Sequence, residues 1–111
     1  MKLFSIIQNW IMGGTPLQRV PELQASVDKQ CQQLRLYYLA GCPYCIKVRR
    51  YLWRLNLSMD LCNTQKFAFN QELNESGGLN QVPCLRIETD DKVQWLYESN
   101  DIIAYLQQRF S

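Results

Sequence analysis

Two cysteines three positions apart, Cys42 and Cys45 in Gly41-Cys42-Pro43-Tyr44-Cys45, are the residues of this chain best suited to chemistry. Such a pair performs thiol–disulfide exchange when it stands where a strand gives way to a helix. The flanking residues supply that junction. Leu34 to Ala40 is dense in aliphatic and aromatic residues and reads as a largely buried strand. After the motif, Val48, Leu52 and Leu55, with Tyr51 alongside, recur at helical spacing, while Lys47, Arg49, Arg50 and Arg54 fall mostly on other faces. Pro43 suits the first helical turn, where a missing N–H costs nothing. Cys42 then lies at or just before a helix N-terminus, whose free N–H groups and dipole favour a thiolate over a thiol. These positions make Cys42 the nucleophile and Cys45, one turn on, the thiol that resolves a mixed disulfide formed on Cys42. A zinc half-site and a pair of buried structural thiols are the competing readings. Zinc needs two further ligands, and the chain has no histidine, while Cys31, Cys62 and Cys84 form no second close pair. No metal site is expected.

The 111 residues, 47% of them hydrophobic, suffice for one domain around one core. A net charge of +2 is too small to imply nucleic-acid binding, and a small anionic ligand is the expected partner. Without histidine, mechanisms built on an imidazole base are excluded, whereas thiol chemistry is not. Five cysteines, an odd number without the spacing of a secreted disulfide framework, fit a reducing compartment. A cytoplasmic location is therefore expected, with oxidation transient and catalytic.

Read from the start, Leu3, Phe4, Ile7 and Ile11 share one helical face in residues 1–12, with Trp10 near its edge. That amphipathic segment is too short in unbroken apolar length to span a bilayer and has no small-residue cleavage site. Packing on the domain or on a second copy is favoured over membrane-surface contact through residues 1–12. Gly13, Gly14, Pro16 and Pro21 mark residues 13–21 as a connector, and Pro21-Glu22 opens a helix with a thin apolar stripe of Leu23, Val27 and Cys31 or Leu34. Leu57 to Cys62 alternates as a short strand, and Asn63-Thr64 reads as a helix start. Phe67, Phe69 and Leu73 would anchor that helix through about residue 75, and Gly77-Gly78 would end it. Pro83 to Glu88 and Lys92 to Tyr97 flank Thr89-Asp90-Asp91 as a hairpin. Glu98 to Asp101 are cap-type residues before a final helix carrying Ile102, Ile103, Tyr105 and Leu106. The order β-α-β-α-β-β-α predicts an α/β domain over residues 34–111, preceded by a helical extension over residues 1–33.

That order, with Cys-Pro-Tyr-Cys at the first strand–helix junction and Val82-Pro83 opening the third strand, resembles the thioredoxin fold and, within it, the glutaredoxins. The resemblance covers about residues 34 to 110 and implies a four-stranded mixed sheet flanked by helices. It also implies glutathione as reductant, Cys42 and Cys45 as the catalytic pair, and Tyr44, Val82 and Pro83 beside the ligand. Pro83 would be cis, and the Val82 backbone would pair with the peptide part of glutathione like an added strand.

Gln81-Val82-Pro83 followed by Tyr97-Glu98-Ser99 and Ile102-Ile103-Ala104-Tyr105-Leu106 is similar to the N-terminal domain of glutathione transferases. There an acid–serine pair holds the γ-glutamyl end of glutathione. A helix N-terminus with a hydroxyl suits a carboxylate, and Glu98 suits an ammonium. Ser99 equally suits a simple helix cap. Such transferases need an all-helical second domain to complete the electrophile pocket, and this chain ends at Ser111. Leu39 stands where many glutaredoxins have lysine, Gln81 where threonine is common, and Glu98-Ser99 near the place of a usual Gly-Gly. Lys47 and Arg49 are the candidates for the glycine carboxylate. Cys84 adjoins Pro83, but strand alternation aims its side chain at the core.

The expected function is a glutathione-dependent thiol–disulfide oxidoreductase that reduces glutathione mixed disulfides and small disulfides, with glutathionylated or disulfide-bonded proteins as partners. A non-catalytic glutathione-binding sensor or adaptor is one alternative. The other is a [2Fe–2S] carrier ligated by the first cysteine and glutathione, although Pro43 is usually associated with cluster-free members.

Overall fold

A computed structural model describes residues 15–110. Within them the chain forms helix α1 (Pro21–Cys31), strand β1 (Leu34–Tyr38), α2 (Pro43–Arg54), β2 (Asp60–Asn63), α3 (Phe67–Glu72), the hairpin β3 (Cys84–Thr89) and β4 (Lys92–Tyr97), and α4 (Ser99–Phe110). Leu73–Gly77 continues α3 as a wider π turn, which ends at Gly78 with φ +93°. Glycine fits there because that backbone conformation crowds any Cβ.

The strands form one mixed sheet in the order β2-β1-β3-β4. β1 runs parallel to β2, which requires the crossover that α2 supplies, and antiparallel to β3, which pairs with β4 through the tight Asp90-Asp91 turn. Alternation along each strand divides its side chains between two faces. On one face Leu34, Leu36, Leu85 and Ile87 are buried against Val48 and Leu52 of α2 and Ile102 and Leu106 of α4. On the other, Tyr37, Cys62 and Cys84 pack with Leu73, Trp95 and Tyr97. The Tyr37 hydroxyl donates to the Glu72 carboxylate, which also lies 3.5 Å from the Arg35 guanidinium and so ties α3 to the central strand.

The segment before β1 belongs to the same core. Val27 and Cys31 are buried in it, and the Leu17 N–H donates to the Arg54 carbonyl at 2.7 Å. The Arg19 guanidinium donates to the carbonyls of Leu55 (2.7 Å) and Phe110 (3.1 Å), where α2 and α4 end. Helix C-termini present carbonyls without intrahelical partners and a partial negative charge, so one cation stabilises both ends.

Several local expectations are corrected. Leu23 is 60% exposed, because α1 meets the core only through its C-terminal half. Leu57 and Met59 are buried but lie before β2, so their alternation reflects packing and not strand pairing. Tyr38, and not Ala40, ends β1. Asn63 and Thr64 do not start α3: the Asn63 side chain accepts from the Gln65 N–H at 2.9 Å and its carbonyl from the Lys66 N–H at 3.0 Å, a turn that delays the helix to Phe67. Phe67 itself is 77% exposed, leaving Phe69 and Leu73 as the contacts of that helix. The amphipathic reading of residues 1–12 lies outside the described residues, among which no helix is long and apolar enough to cross a membrane.

Arg19→Ala should lower the unfolding free energy in urea by about 1–3 kcal/mol, since it strips charged donors from two helix ends at once. An unchanged denaturation midpoint would show that the segment before α1 is not held by this contact.

Candidate active site

Cys42 has extended backbone angles (φ −80°, ψ 121°), and its carbonyl accepts the first hydrogen bond of α2, from the Ile46 N–H at 2.9 Å. It is therefore the N-cap of the helix, with Pro43 at the first helical position. The thiol is partly exposed, whereas Cys45, one turn further, is fully buried beneath it. Their environments push the two thiols apart. Partial burial raises the Cys42 pKa, but hydrogen bonds from the Cys45 backbone and thiol and from the Tyr44 backbone outweigh it, and the net shift is downward. Cys45 is driven up to about 11, chiefly by burial, against a lowering backbone hydrogen bond from Leu39.

The other three cysteines behave differently. Burial raises Cys31 and Cys62, and pushes Cys84 up to about 12. Cys84 points into the second core cluster, as strand alternation requires, so it adjoins the site in sequence without facing it. Among the described residues no three His, Cys, Asp or Glu side chains gather as a metal-ligand set would.

Beside the start of α2 lies a groove of about 510 Å³. Tyr44 forms one wall, Gln81, Val82 and Pro83 before β3 form another, and Glu98, Ser99 and Asn100 at the start of α4 close it. Positions more than fifty residues apart in sequence thus meet, and Tyr44, Val82, Pro83, Glu98 and Ser99 all lie on this surface. The Val82–Pro83 peptide is cis. Glu98 has φ +74°, a left-handed conformation that an ordinary residue holds only when its surroundings impose it. Its carbonyl accepts from the Ile102 N–H at 3.0 Å, so Glu98 holds the cap position and Ser99 is the first residue of α4. Ser99, buried at the first position of α4, lines the groove at the positive end of the helix.

Gln81 and Asn100 join the groove without having been singled out as ligands; adjacency to Val82 and to Ser99 was their only signal. Lys47 donates to the Asn100 side-chain oxygen at 2.8 Å, at the groove's edge. Arg49 lies elsewhere, its guanidinium 4.6 Å over the Tyr38 ring. The loop leading to Gln81 is held by Tyr97, whose hydroxyl donates to the Leu79 carbonyl and accepts from the Leu79 N–H, both at 3.2 Å. Gly77 must stay small for this: a Cβ there would come within 2.8 Å of the Tyr97 hydroxyl and 3.0 Å of the Trp95 ring.

Together the sheet, the N-capping cysteine and the cis-proline groove define a protein of the thioredoxin-like α/β class. Residues 36–111 match the family described as glutathione S-transferase, N-terminal domain, and the chain belongs to that family. Among solved structures it is similar to maleylacetoacetate isomerase from Anaeromyxobacter dehalogenans, determined with glutathione bound in its active site, at 26% identity and a TM-score of 0.57. A glutathione transferase from Drosophila melanogaster matches at 30% identity and a TM-score of 0.55. Each match covers 70% of this chain but only 38% and 35%, respectively, of the other protein. A wheat glutaredoxin shares the fold at 20% identity and a TM-score of 0.51, over 79% of this chain and 84% of its own. No curated protein matches significantly.

Iodoacetamide at neutral pH should alkylate Cys42 first, with a reaction midpoint below the ordinary thiol range. Cys45→Ala removes a hydrogen bond to the thiolate, so that midpoint should move upward; peptide mapping across a pH series reads both outcomes.

Proposed function

We propose that this chain is a glutathione-dependent thiol–disulfide oxidoreductase of glutaredoxin type, acting through Cys42 and Cys45 on glutathione mixed disulfides and small disulfides. The observation that carries the reading is the downward-shifted, partly exposed Cys42 at the start of α2, beside the groove formed by Tyr44, Val82, Pro83, Glu98 and Ser99. The groove's volume of about 510 Å³ is in the range of small-ligand sites. Its polar groups match glutathione: the α4 N-terminus and Ser99 hydroxyl suit the γ-glutamyl carboxylate, Glu98 the ammonium, and the Val82 backbone the peptide. Family membership supports the same ligand.

Cys42 attacks the glutathionyl sulfur as a thiolate, forming a Cys42–glutathione disulfide, and the other half of the substrate leaves as a thiolate that takes a proton from water. A second glutathione thiolate attacks the glutathionyl sulfur held on Cys42, giving glutathione disulfide and regenerating the Cys42 thiolate. Cys45 resolves Cys42 only after losing a proton, and with its pKa at about 11 that form is scarce at neutral pH. A second glutathione or Cys45 can resolve the disulfide on Cys42, and the burial that raises the Cys45 thiol favours glutathione. A transferase reading also draws on the family match; glutathione conjugation to an aryl chloride without disulfide turnover would favour it.

Glutathione-dependent reduction of the glutathione–mercaptoethanol mixed disulfide, coupled to glutathione reductase, tests the proposal. Wild type should turn over, Cys42→Ser should be inactive, and Cys45→Ser should keep activity. Glu98→Gln should raise KM for glutathione about tenfold through loss of a charge-assisted contact. An inactive wild type, or an active Cys42→Ser, would sink the reading.

A further inference from the structure

The helix that begins after Cys42 lines a second depression that the steps above do not use. Pro43, Ile46, Lys47, Arg50 and Arg54 follow one another at helical spacing along α2 and, with Ile103 of α4, line a groove of about 470 Å³. The chain passes from Pro43 in this groove directly to Tyr44 in the other, so the two grooves adjoin at the start of α2, immediately after Cys42 in the chain. Lys47 spans the same divide through its hydrogen bond to Asn100.

The groove's chemistry is specific. Ile46 is 44% exposed and, with Pro43 and Ile103, supplies apolar surface. Lys47, Arg50 and Arg54 add positive charge, and among the described residues none of these cations is paired with a carboxylate. Among the described residues no acidic side chain lines the groove. An apolar channel edged by unpaired cations is complementary to a chain that carries acidic residues between apolar ones.

We infer that this groove receives the protein half of a glutathione mixed disulfide, and that the preferred substrates are proteins whose glutathionylated cysteine sits among acidic and apolar residues. The inference rests on the oxidoreductase reading of Cys42 and names its substrate class. Glutathione lies in one groove, the protein segment in the other, and the disulfide between them crosses Cys42. As Cys42 bonds to the glutathionyl sulfur, the protein–glutathione S–S bond breaks and the protein leaves as a thiolate, which water protonates. One free glutathione supplies the reducing equivalents: its thiolate takes the glutathionyl sulfur from Cys42, and the two glutathione halves leave as glutathione disulfide. The cations act mainly on encounter, so kcat/KM carries the effect and salt screens it.

The test compares two S-glutathionylated peptides of equal length, one with glutamates and leucines around the cysteine and one with lysines in place of the glutamates. The glutathione–mercaptoethanol disulfide, whose leaving half is small and neutral, is the control. Wild type should prefer the acidic peptide by on the order of tenfold in kcat/KM at low salt, with the preference shrinking as salt is added. Arg50→Glu should abolish or reverse the preference while leaving turnover of the small disulfide unchanged. Lys92→Glu, the same charge change on the distant hairpin, should keep it. Equal rates with both peptides, a preference that survives Arg50→Glu, or one lost equally in Lys92→Glu would overturn the inference alone. So would sedimentation showing a dimer that Arg50→Glu dissociates, since a second copy would then fill the groove. Failure of wild type on the small disulfide would instead overturn the parent reading, and this one with it.

Discussion

The downward shift of the Cys42 thiol depends on the first backbone N–H groups of α2 lying beside its sulfur, and the packing of strand and helix holds them there. The helix is held from beneath by Val48 and Leu52 against Leu36 and Leu85 of the sheet, and its far end by the Arg19 guanidinium on the Leu55 carbonyl. β1, which delivers the chain to Cys42, is one of the two inner strands of the sheet, with most of its side chains buried. A rigid strand and a packed helix leave the short turn between them little freedom. The reactive group is thus mounted on elements whose stability comes from the core, not from the site.

Opposite electrostatic outcomes for chemically identical side chains follow from small displacements. Cys45 lies a single turn from Cys42, yet burial takes it up to about 11 while hydrogen bonding takes Cys42 down. Each thiol shapes the other, because the proton retained by Cys45 is the one donated to the Cys42 sulfur. Cys84 makes the same point more strongly: it follows Pro83 directly, but the pleat turns it into the apolar cluster of Tyr37, Cys62 and Leu73, where a charge is disfavoured. Proximity in sequence to a site is therefore no measure of reactivity.

The start of α4 shows where stability gives way to geometry. Holding Glu98 at φ +74° costs on the order of 1 kcal/mol, which the packing of Ile102, Leu106 and Phe110 behind it offsets. The return is an acidic side chain, a hydroxyl and the positive end of a helix gathered at one edge of the groove. Gly77 contributes from a distance: its missing side chain lets Tyr97 and Trp95 press against the loop that carries Gln81 and Val82. The groove is a by-product of long-range packing to a greater degree than the cysteine pair is.

What could be read from the residue order alone was whatever depends on near neighbours along the chain. The Cys42-Pro43-Tyr44-Cys45 junction, the helical period through Val48, Leu52 and Leu55, and the hairpin around Asp90-Asp91 each rest on residues a few positions apart. The mixed sheet and the approach of Val82, Pro83, Glu98 and Ser99 to one another were legible through resemblance to families in which those motifs recur. Local patterns failed where they report only that a side chain avoids water: Leu57 and Met59 do so without strand pairing, whereas Leu23 and Phe67 are apolar yet exposed. Tertiary structure alone decided that Arg19 would bind the ends of two helices, that Gln81 and Asn100 would join the groove, and that Lys47, Arg50 and Arg54 would line one groove with Ile46 and Ile103. Those arrangements depend on distances set across the sheet, because backbone pairing and core packing, not spacing along the chain, determine which surface residues converge.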